Sequence, residues 1–178
     1  MRHIVPLSFA LLLGACATPI PGPWDIPVGS TITINKEIQI PGSSASVKIQ
    51  NGKTESFGAI NIYATHCVLE MRDRKETPQI VKPGQFTVTK NTQQIFSVRV
   101  PTAGTQLASL FFAGDVDTML NYANQIYITS PEQPDVYRLT CQQFSYPSQT
   151  QLNERWSSVA QMRVALGELI TLTLAGTP

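Results

Sequence analysis

The residues best equipped for chemistry in this chain are a histidine and two cysteines in its central part. His66 and Cys67 are adjacent in the run NIYATHCVLEM, and Cys141 lies in VYRLTCQQF. Both runs are typical of strands, in which successive side chains point to opposite faces. His66 and Cys67 are therefore not expected to form a nucleophile–base pair or to share a metal ion. We interpret His66 as a partly buried structural histidine.

Other catalytic arrangements are missing from the sequence. It contains no GxSxG, HExxH, CxxC or glycine-rich phosphate-binding motif, and nothing selects a carboxylate pair for glycoside cleavage among its 12 acidic residues. Asp115 and Asp117 in GDVDT could ligate calcium. A lone DxD lacks the further oxygen ligands that calcium takes, so a capped turn is the better interpretation. We expect no metal, no cofactor and no enzymatic activity.

The third cysteine, Cys16, ends a short apolar segment at the N-terminus. Residues 4–13 are mostly apolar and follow Arg2 and His3. A bilayer-spanning helix needs about 20 residues, so this segment is too short to cross a membrane. Its length fits the apolar core of a secretory signal peptide, which is followed by small residues at the cleavage site.

The sequence Leu-Gly-Ala-Cys at 13–16 resembles the lipobox of bacterial lipoproteins, although a single positive charge precedes it where two or more are usual. The resemblance covers residues 1–16. It implies that residues 1–15 are a signal peptide, cut before Cys16, and that the Cys16 sulfur carries a diacylglyceryl group. Several acyl chains anchor a protein stably, at roughly 0.8 kcal/mol per buried CH2. An ordinary secretory signal with an incidental cysteine is the alternative.

The same resemblance implies a location. Lipoproteins kept at the inner membrane typically carry Asp after the cysteine, so Ala17 favours the outer membrane and its periplasmic face. The whole chain resembles small bacterial lipoproteins of unassigned function. Because the envelope is oxidising, Cys67 and Cys141 are expected to form a disulfide. Two separate buried thiols are the alternative.

Removal of the signal leaves about 163 of the 178 residues, the size of one domain. Arg2 would be lost with it, so 12 basic residues would face 12 acidic ones. A net charge near zero argues against a general nucleic-acid binder. Residues 16–29 are rich in proline and predict a semi-rigid tether. Residues 30–178 predict a single β domain.

Alternating apolar residues predict strands along most of this domain. TITINKEIQI at 31–40 is typical of one half-buried strand, and Asn51-Gly52 predicts a hairpin between SASVKIQ and a long run at 53–71. QFTVTK and QQIFSVRV predict a strand pair. PEQPD predicts the loop of another hairpin, between QIYITS and VYRLTCQQF. Seven to nine such strands favour an antiparallel sandwich or barrel.

One short helix is expected near the C-terminus, at about 158–166. Ser158 and Gln161 match a capping box, and Gly167 lies where a left-handed C-cap is typical. The apolar side chains of this segment share one helical face: Val159, Met162 and Leu166. The helix is therefore expected to pack over the sheet.

Residues 101–124 have no clean period. They contain four large apolar residues that are candidates for a partner-binding surface, since exposed apolar patches mark such sites: Leu107, Leu110, Phe111 and Phe112. A short helix, a long excursion over a barrel end and a contribution to the core are the alternatives.

We therefore expect an outer-membrane-anchored, periplasmic lipoprotein that acts as a structural or protein-interaction module, with an envelope protein as its partner. The alternative is a ligand-binding module for glycan or peptidoglycan. Its stacking surfaces would be aromatic side chains in the second half of the chain: Trp156, Tyr122, Tyr127 and Tyr146. A hydrolase with an unrecognised site is a third hypothesis.

Overall fold

The computed structural model describes residues 22–99, 118–146 and 155–176. Within these ranges the chain forms ten β-strands and one α-helix. The strands are β1 (Thr31–Ile34), β2 (Ile38–Ile40), β3 (Ser44–Gln50), β4 (Lys53–Glu55), β5 (His66–Lys75), β6 (Gln79–Val81), β7 (Gly84–Arg99), β8 (Thr118–Thr129), β9 (Val136–Ser145) and β10 (Ile170–Thr173), and the helix is α1 (Val159–Leu166).

Eight of these strands form one curled antiparallel sheet, a half-barrel with the order β10-β1-β7-β8-β9-β5-β3-β4. The remaining two, β2 and β6, pair with each other in a small second sheet. The predicted fold class is confirmed: the protein is mainly β and antiparallel, with a single described helix near the C-terminus.

One face of the main sheet, here called the inner face, carries the hydrophobic core. Helix α1 covers it with Met162, Ala165 and Leu166. Each large aliphatic side chain buried there contributes about 1.5–3 kcal/mol. The largest fully buried residues of the sheet and helix are Ile32, Ile34, Ile49, Leu69, Phe86, Ile126, Leu139, Met162, Leu166 and Ile170.

Helix α1 begins at the capping box that the sequence predicts. The Ser158 hydroxyl accepts a hydrogen bond from the Gln161 N–H at 3.2 Å, and the Gln161 Oε1 accepts one from the Ser158 N–H at 2.8 Å. Two N–H groups that have no partner inside the helix are thereby satisfied. The helix ends at Gly167, whose φ is +53° and whose N–H donates to the Arg163 carbonyl.

Two glycines bring the β3–β4 turn against the C-terminal end of α1. Asn51 and Gly52 both have positive φ, as the predicted hairpin turn requires. The Gly52 N–H donates to the Ala165 carbonyl at 2.9 Å. A Cβ atom on Gly167 would lie 2.5 Å from the Gly52 Cα, so this approach needs a residue without a side chain.

The segment 31–40, expected to be one strand, is divided between the two sheets. Its four isoleucines are all buried, but the chain turns at Asn35 and Lys36. The Asn35 N–H donates to the Leu169 carbonyl at 2.9 Å, and the Lys36 ammonium forms an ion pair with Glu168 at 3.0 Å. These contacts hold the turn against the start of β10.

The long run at 53–71 is also divided, so its prediction as one strand is wrong. It forms β4, a 3₁₀ helix (Phe57–Ala59), a loop and then β5. The side chain of Gln50 holds the loop, because its amide accepts from the Asn61 N–H at 3.0 Å and donates to the Asn61 carbonyl at 2.9 Å. This side chain takes the place of a strand partner for Asn61.

The strand pair predicted from QFTVTK and QQIFSVRV is instead one long strand, β7. A bulge between Val88 and Lys90 shifts its register without ending it, and β8 pairs with it from Thr87 to Arg99. Of the segment predicted to be irregular, residues 118–124 belong to β8. Leu107, Leu110, Phe111 and Phe112 lie outside the described residues, in the connection between β7 and β8.

Residues 22–29, the described part of the predicted tether, contact the domain. Ile26 is buried in the core. The Pro23 carbonyl accepts a hydrogen bond from the Val159 N–H at 2.8 Å, and the Gly29 N–H donates to the Val88 carbonyl at 2.9 Å. These bonds connect the start of the domain with both the helix and β7.

The two central cysteines form a disulfide across neighbouring strands. Cys67 of β5 and Cys141 of β9 are register partners with Cα atoms 4.0 Å apart, and both are fully buried on the inner face. The bond joins residues separated by 74 positions. It therefore restricts a large part of the unfolded chain.

We expect Cys67→Ala and Cys141→Ala each to lower the free energy of unfolding by about 4 kcal/mol, the loop-closure value for a crosslink of this span. Both variants break the same bond, so the double variant should lose little more than either single one. Chemical denaturation of the oxidised proteins measures this. Additive losses, or reduction that destabilises the double variant as much as the wild type, would contradict it.

Candidate functional site

The face of the sheet opposite the core, here called the outer face, carries a network of polar side chains across β5, β9, β8 and β7. Arg138 donates to Glu70 through two nitrogens, with Nη2–Oε2 at 2.6 Å and Nε–Oε1 at 3.2 Å. Thr140 donates to the same carboxylate at 2.9 Å. We call this network, together with Gln125, Tyr127 and Gln94, the polar ladder.

The ladder continues from Arg138 across β8 to β7. The Arg138 Nη1 donates to the Gln125 Oε1 at 3.1 Å, and the Tyr127 hydroxyl donates to the same oxygen at 3.1 Å. The Gln125 amide nitrogen then donates to the Gln94 Oε1 at 3.0 Å. The Glu70 carboxylate and the Gln125 amide oxygen thus each accept more than one bond within the ladder.

Tyr127 is the member of the ladder whose pKa is lowered. The hydrogen bond with Arg138 lowers the pKa of Tyr127, and the positive charges of Arg138 and Lys90 add to this effect. Arg138 also lies over the rings of Tyr127 and Tyr137, at 5.6 and 5.1 Å from their centroids. The ladder therefore holds Arg138 by charge, hydrogen bonds and ring contacts together, an arrangement suited to fixing strand register.

His66 lies further along the same outer face. Its Nδ1 is 3.2 Å from the Ala64 carbonyl oxygen, which can only accept, so Nδ1 carries the proton. Nε2 then accepts from the Gln142 amide nitrogen at 3.1 Å, and the Gln142 Oε1 accepts from Asn121 at 2.9 Å. The ring also stacks on Phe144 with an interplanar angle of 3°.

The environment of His66 favours the neutral imidazole. Burial has the largest effect and lowers the pKa of His66; the hydrogen bond with the Ala64 carbonyl opposes it, and the positive charge of Lys48 on β3 lowers the pKa further. A second proton on Nε2 would also face the N–H group of Gln142. The interpretation of His66 as a structural histidine agrees with this environment, since both ring nitrogens already have partners.

The four aromatic residues predicted as stacking surfaces do not form one common surface. Tyr122 is buried and makes an edge-on contact with Trp156 at 5.4 Å, whereas Tyr127 belongs to the polar ladder on the outer face. Tyr146 stacks on Tyr63 at 6.2 Å. Sequence reasoning missed Tyr63 because it was assigned to a continuous strand, although it lies in the loop before β5.

An open groove lies beside Tyr63. It has a volume of about 390 Å³ and runs between α1, the β3–β4 turn and the loop before β5. Ala160 and Val164 of the helix line it, together with Tyr63 of the loop before β5. Thr65 and Gln143 line it as well, with a hydrogen bond of 2.9 Å from the Thr65 hydroxyl to the Gln143 Oε1. We call this feature the α1 groove.

A second exposed feature is the part of β7 beyond the bulge. β1 pairs with β7 only from Gly84 to Thr87, and residues 29 and 30 extend this contact to Val88. Past that point, no strand within the described ranges pairs with the side of β7 that faces away from β8. The exposed apolar residues of this stretch are Ile95, Phe96 and Val98. We call residues 90–99 the β7 arm.

A metal site would need a cluster of ligand side chains. In the part of the chain that the structure describes, no three His, Cys, Asp or Glu side chains are close enough together to hold a metal ion. Asp115 and Asp117 lie outside it. The described helix is also not long and apolar enough to cross a membrane.

Comparison with known proteins gives no relatives: no family model, curated protein or solved structure matches the chain. The chain's own geometry therefore has to indicate where it could bind, and two of its features are candidates for binding surfaces. They are the β7 arm and the α1 groove.

The environment of His66 predicts how stability depends on pH. Because its pKa is lowered in the folded protein, the unfolded chain binds a proton first, so stability should fall as pH drops below the ordinary value of 6.5. We expect His66→Gln to reduce the difference in melting temperature between about pH 7.5 and about pH 5.5. The chain has one other histidine, His3, in the predicted signal peptide. An unchanged difference would contradict this prediction.

Proposed function

We propose that this protein is an outer-membrane lipoprotein that acts without enzymatic activity, by binding an extended segment of another envelope protein along the β7 arm. The observation that carries the proposal is the long edge of β7 that faces away from β8, where the described chain supplies no partner strand. An unpaired edge presents backbone N–H and C=O groups that pair readily with a further strand.

The side chains of the β7 arm support the same proposal. From Thr92 to Val98 the sequence is TQQIFSV, which contains no charged residue and no proline. Charges and prolines are the usual means by which proteins prevent pairing at an exposed edge. Ile95 and Phe96 are neighbours along the strand and therefore project to opposite faces, and both are exposed. A strand added here could bury apolar side chains on both faces.

More apolar residues follow this arm along the chain. β7 and β8 are paired up to Arg99 and Thr118, so the connection that contains Leu107, Leu110, Phe111 and Phe112 leaves from the end of the arm. These four residues keep their predicted role as candidates for the partner surface. The partner segment is expected to be extended and rich in apolar residues, to match the arm.

A photo-reactive amino acid introduced at Phe96 is expected to trap one discrete envelope protein in intact cells. Ile95→Lys should abolish this crosslink, because it places a charge on β7 where the added strand would pack, yet it should change the free energy of unfolding by less than about 0.5 kcal/mol. The Ile95 side chain is 55% exposed, and Ile80 of β6, at 52%, provides the matched control as Ile80→Lys.

A crosslink that persists in Ile95→Lys, or that forms equally from a probe at Ile80, would contradict the proposed surface. A crosslink between two copies of the chain would show that the arm binds a second copy, and it would contradict the proposal that the partner is another envelope protein. The position of the crosslinked peptide in the partner tests the strand-addition geometry, because successive probes along β7 should alternate between the two faces of the partner strand.

The lipid anchor is tested separately. We expect Cys16→Ala to abolish incorporation of a labelled fatty acid and to release the protein from the membrane fraction, because the thiol that would carry the lipid is lost. Cys67→Ala keeps that thiol and should remain labelled. Acyl labelling that persists in Cys16→Ala would contradict the lipobox assignment and leave the β7 arm proposal unaffected.

A further inference from the structure

We propose that the α1 groove is a second binding site, which takes an uncharged saccharide with Tyr63 as its stacking surface. This inference does not rest on the β7 arm, which is formed by a different part of the sheet. The volume of about 390 Å³ is sufficient for a short oligosaccharide, and it lies in the usual range of small-molecule sites.

The charge of the groove limits the class of ligand. The described residues that line it are all uncharged: they are alanine, valine, threonine, tyrosine, asparagine and glutamine. A phosphate, carboxylate or ammonium group would lose hydration there without gaining a counter-charge. The lining therefore disfavours charged ligands and fits a neutral molecule with both hydroxyl groups and apolar C–H surfaces.

Tyr63 supplies a ring that is positioned before a ligand arrives. Its side chain is exposed, but its ring stacks on Tyr146 with an interplanar angle of 25°. Its backbone N–H donates to the Asn61 Oδ1 at 3.1 Å, which fixes the local turn. Because the ring is already held, little conformational entropy is lost when a sugar packs against it.

The polar groups of the groove match the hydroxyl groups of a sugar. The Asn51 amide, the Tyr63 hydroxyl and the Gln161 Nε2 make no hydrogen bond to any described residue and can bind a ligand. Amides and hydroxyls offer both donors and acceptors, as sugar hydroxyls require. The bond between Thr65 and Gln143 keeps these two side chains in place.

The helix contributes an apolar part of the lining. Val164 is 68% exposed although it is a valine, and Ala160 precedes it by one helical turn on the same side. A sugar ring that contacts these side chains and Tyr63 would have its C–H surfaces in apolar contact, and its hydroxyl groups could bond to the amides of the lining. This arrangement distinguishes the groove from a uniformly apolar cleft.

Binding can be measured on the full-length protein in detergent, with the trimer of N-acetylglucosamine as a neutral probe, by calorimetry and by saturation-transfer NMR. Saturable binding is expected for the wild type. Tyr63→Ala should weaken it about tenfold, since an aromatic stacking contact contributes roughly this factor. Val164→Lys should weaken it as well, because it places a charge and a long side chain in the groove.

Two control variants match these changes outside the groove. Tyr137→Ala removes a tyrosine near the other end of β9 from Gln143, and Val28→Lys places a lysine at a valine that is 65% exposed. Both should bind the trimer as the wild type does. Melting curves of all four variants establish that each is folded before its affinity is compared.

The proposal is overturned if the wild type binds neither this trimer nor a neutral glucose trimer, or if Tyr63→Ala and Val164→Lys both bind as the wild type does. Preferential binding of an uncharged peptide in the groove would also overturn it. Because Ile95→Lys lies outside the groove, it should bind the trimer normally. A failure of the β7 arm crosslink is therefore distinguishable from a failure of the saccharide site.

Discussion

The register between β5 and β9 determines what each face of the sheet can hold. On the inner face it places Cys67 opposite Cys141, and on the outer face it places Glu70 opposite Arg138. Because side chains alternate along a strand, a shift of one residue would carry the ion pair into the aliphatic core and the cysteines out of it. The disulfide opposes that shift covalently. The hydrogen bonds of the outer face, including those of His66, therefore depend on a bond made on the other face.

The lengths of neighbouring strands explain where the sheet exposes its backbone. Its two terminal strands, β4 and β10, are short, which limits the pairing they can offer to other chains. Among the described strands, the long edge without a partner arises inside the strand order, because the four residues of β1 lie beside the sixteen residues of β7. The β7 arm is thus a consequence of unequal strand lengths. Its apolar residues, Ile95, Phe96 and Val98, lie on the portion that β1 does not reach.

Local signals predicted the parts of the fold that depend on neighbouring residues. Ser158 and Gln161 correctly predicted the start of the helix, and Asn51 and Gly52 correctly predicted a hairpin turn. Periodicity failed where an apolar run crosses a break, as at 31–40, since alternation reports burial and not the strand to which a residue belongs. Tyr63 was missed for the same reason. The candidate site could not be assembled from sequence because its walls come from three separate elements, although a short Asn-to-backbone turn before β5 is a recognisable signal.

The two proposed surfaces differ in how strongly they depend on the rest of the fold. The β7 arm needs only its pairing with β8, so a change there can remove binding and leave the core intact. The α1 groove exists only if the helix and the β3–β4 turn are docked, and this docking depends on the contact of Gly52 with Gly167. A side chain at either glycine would move one wall relative to the other. The groove is therefore expected to respond to changes at residues that never contact its ligand, whereas the arm is expected to respond only to changes along its own edge.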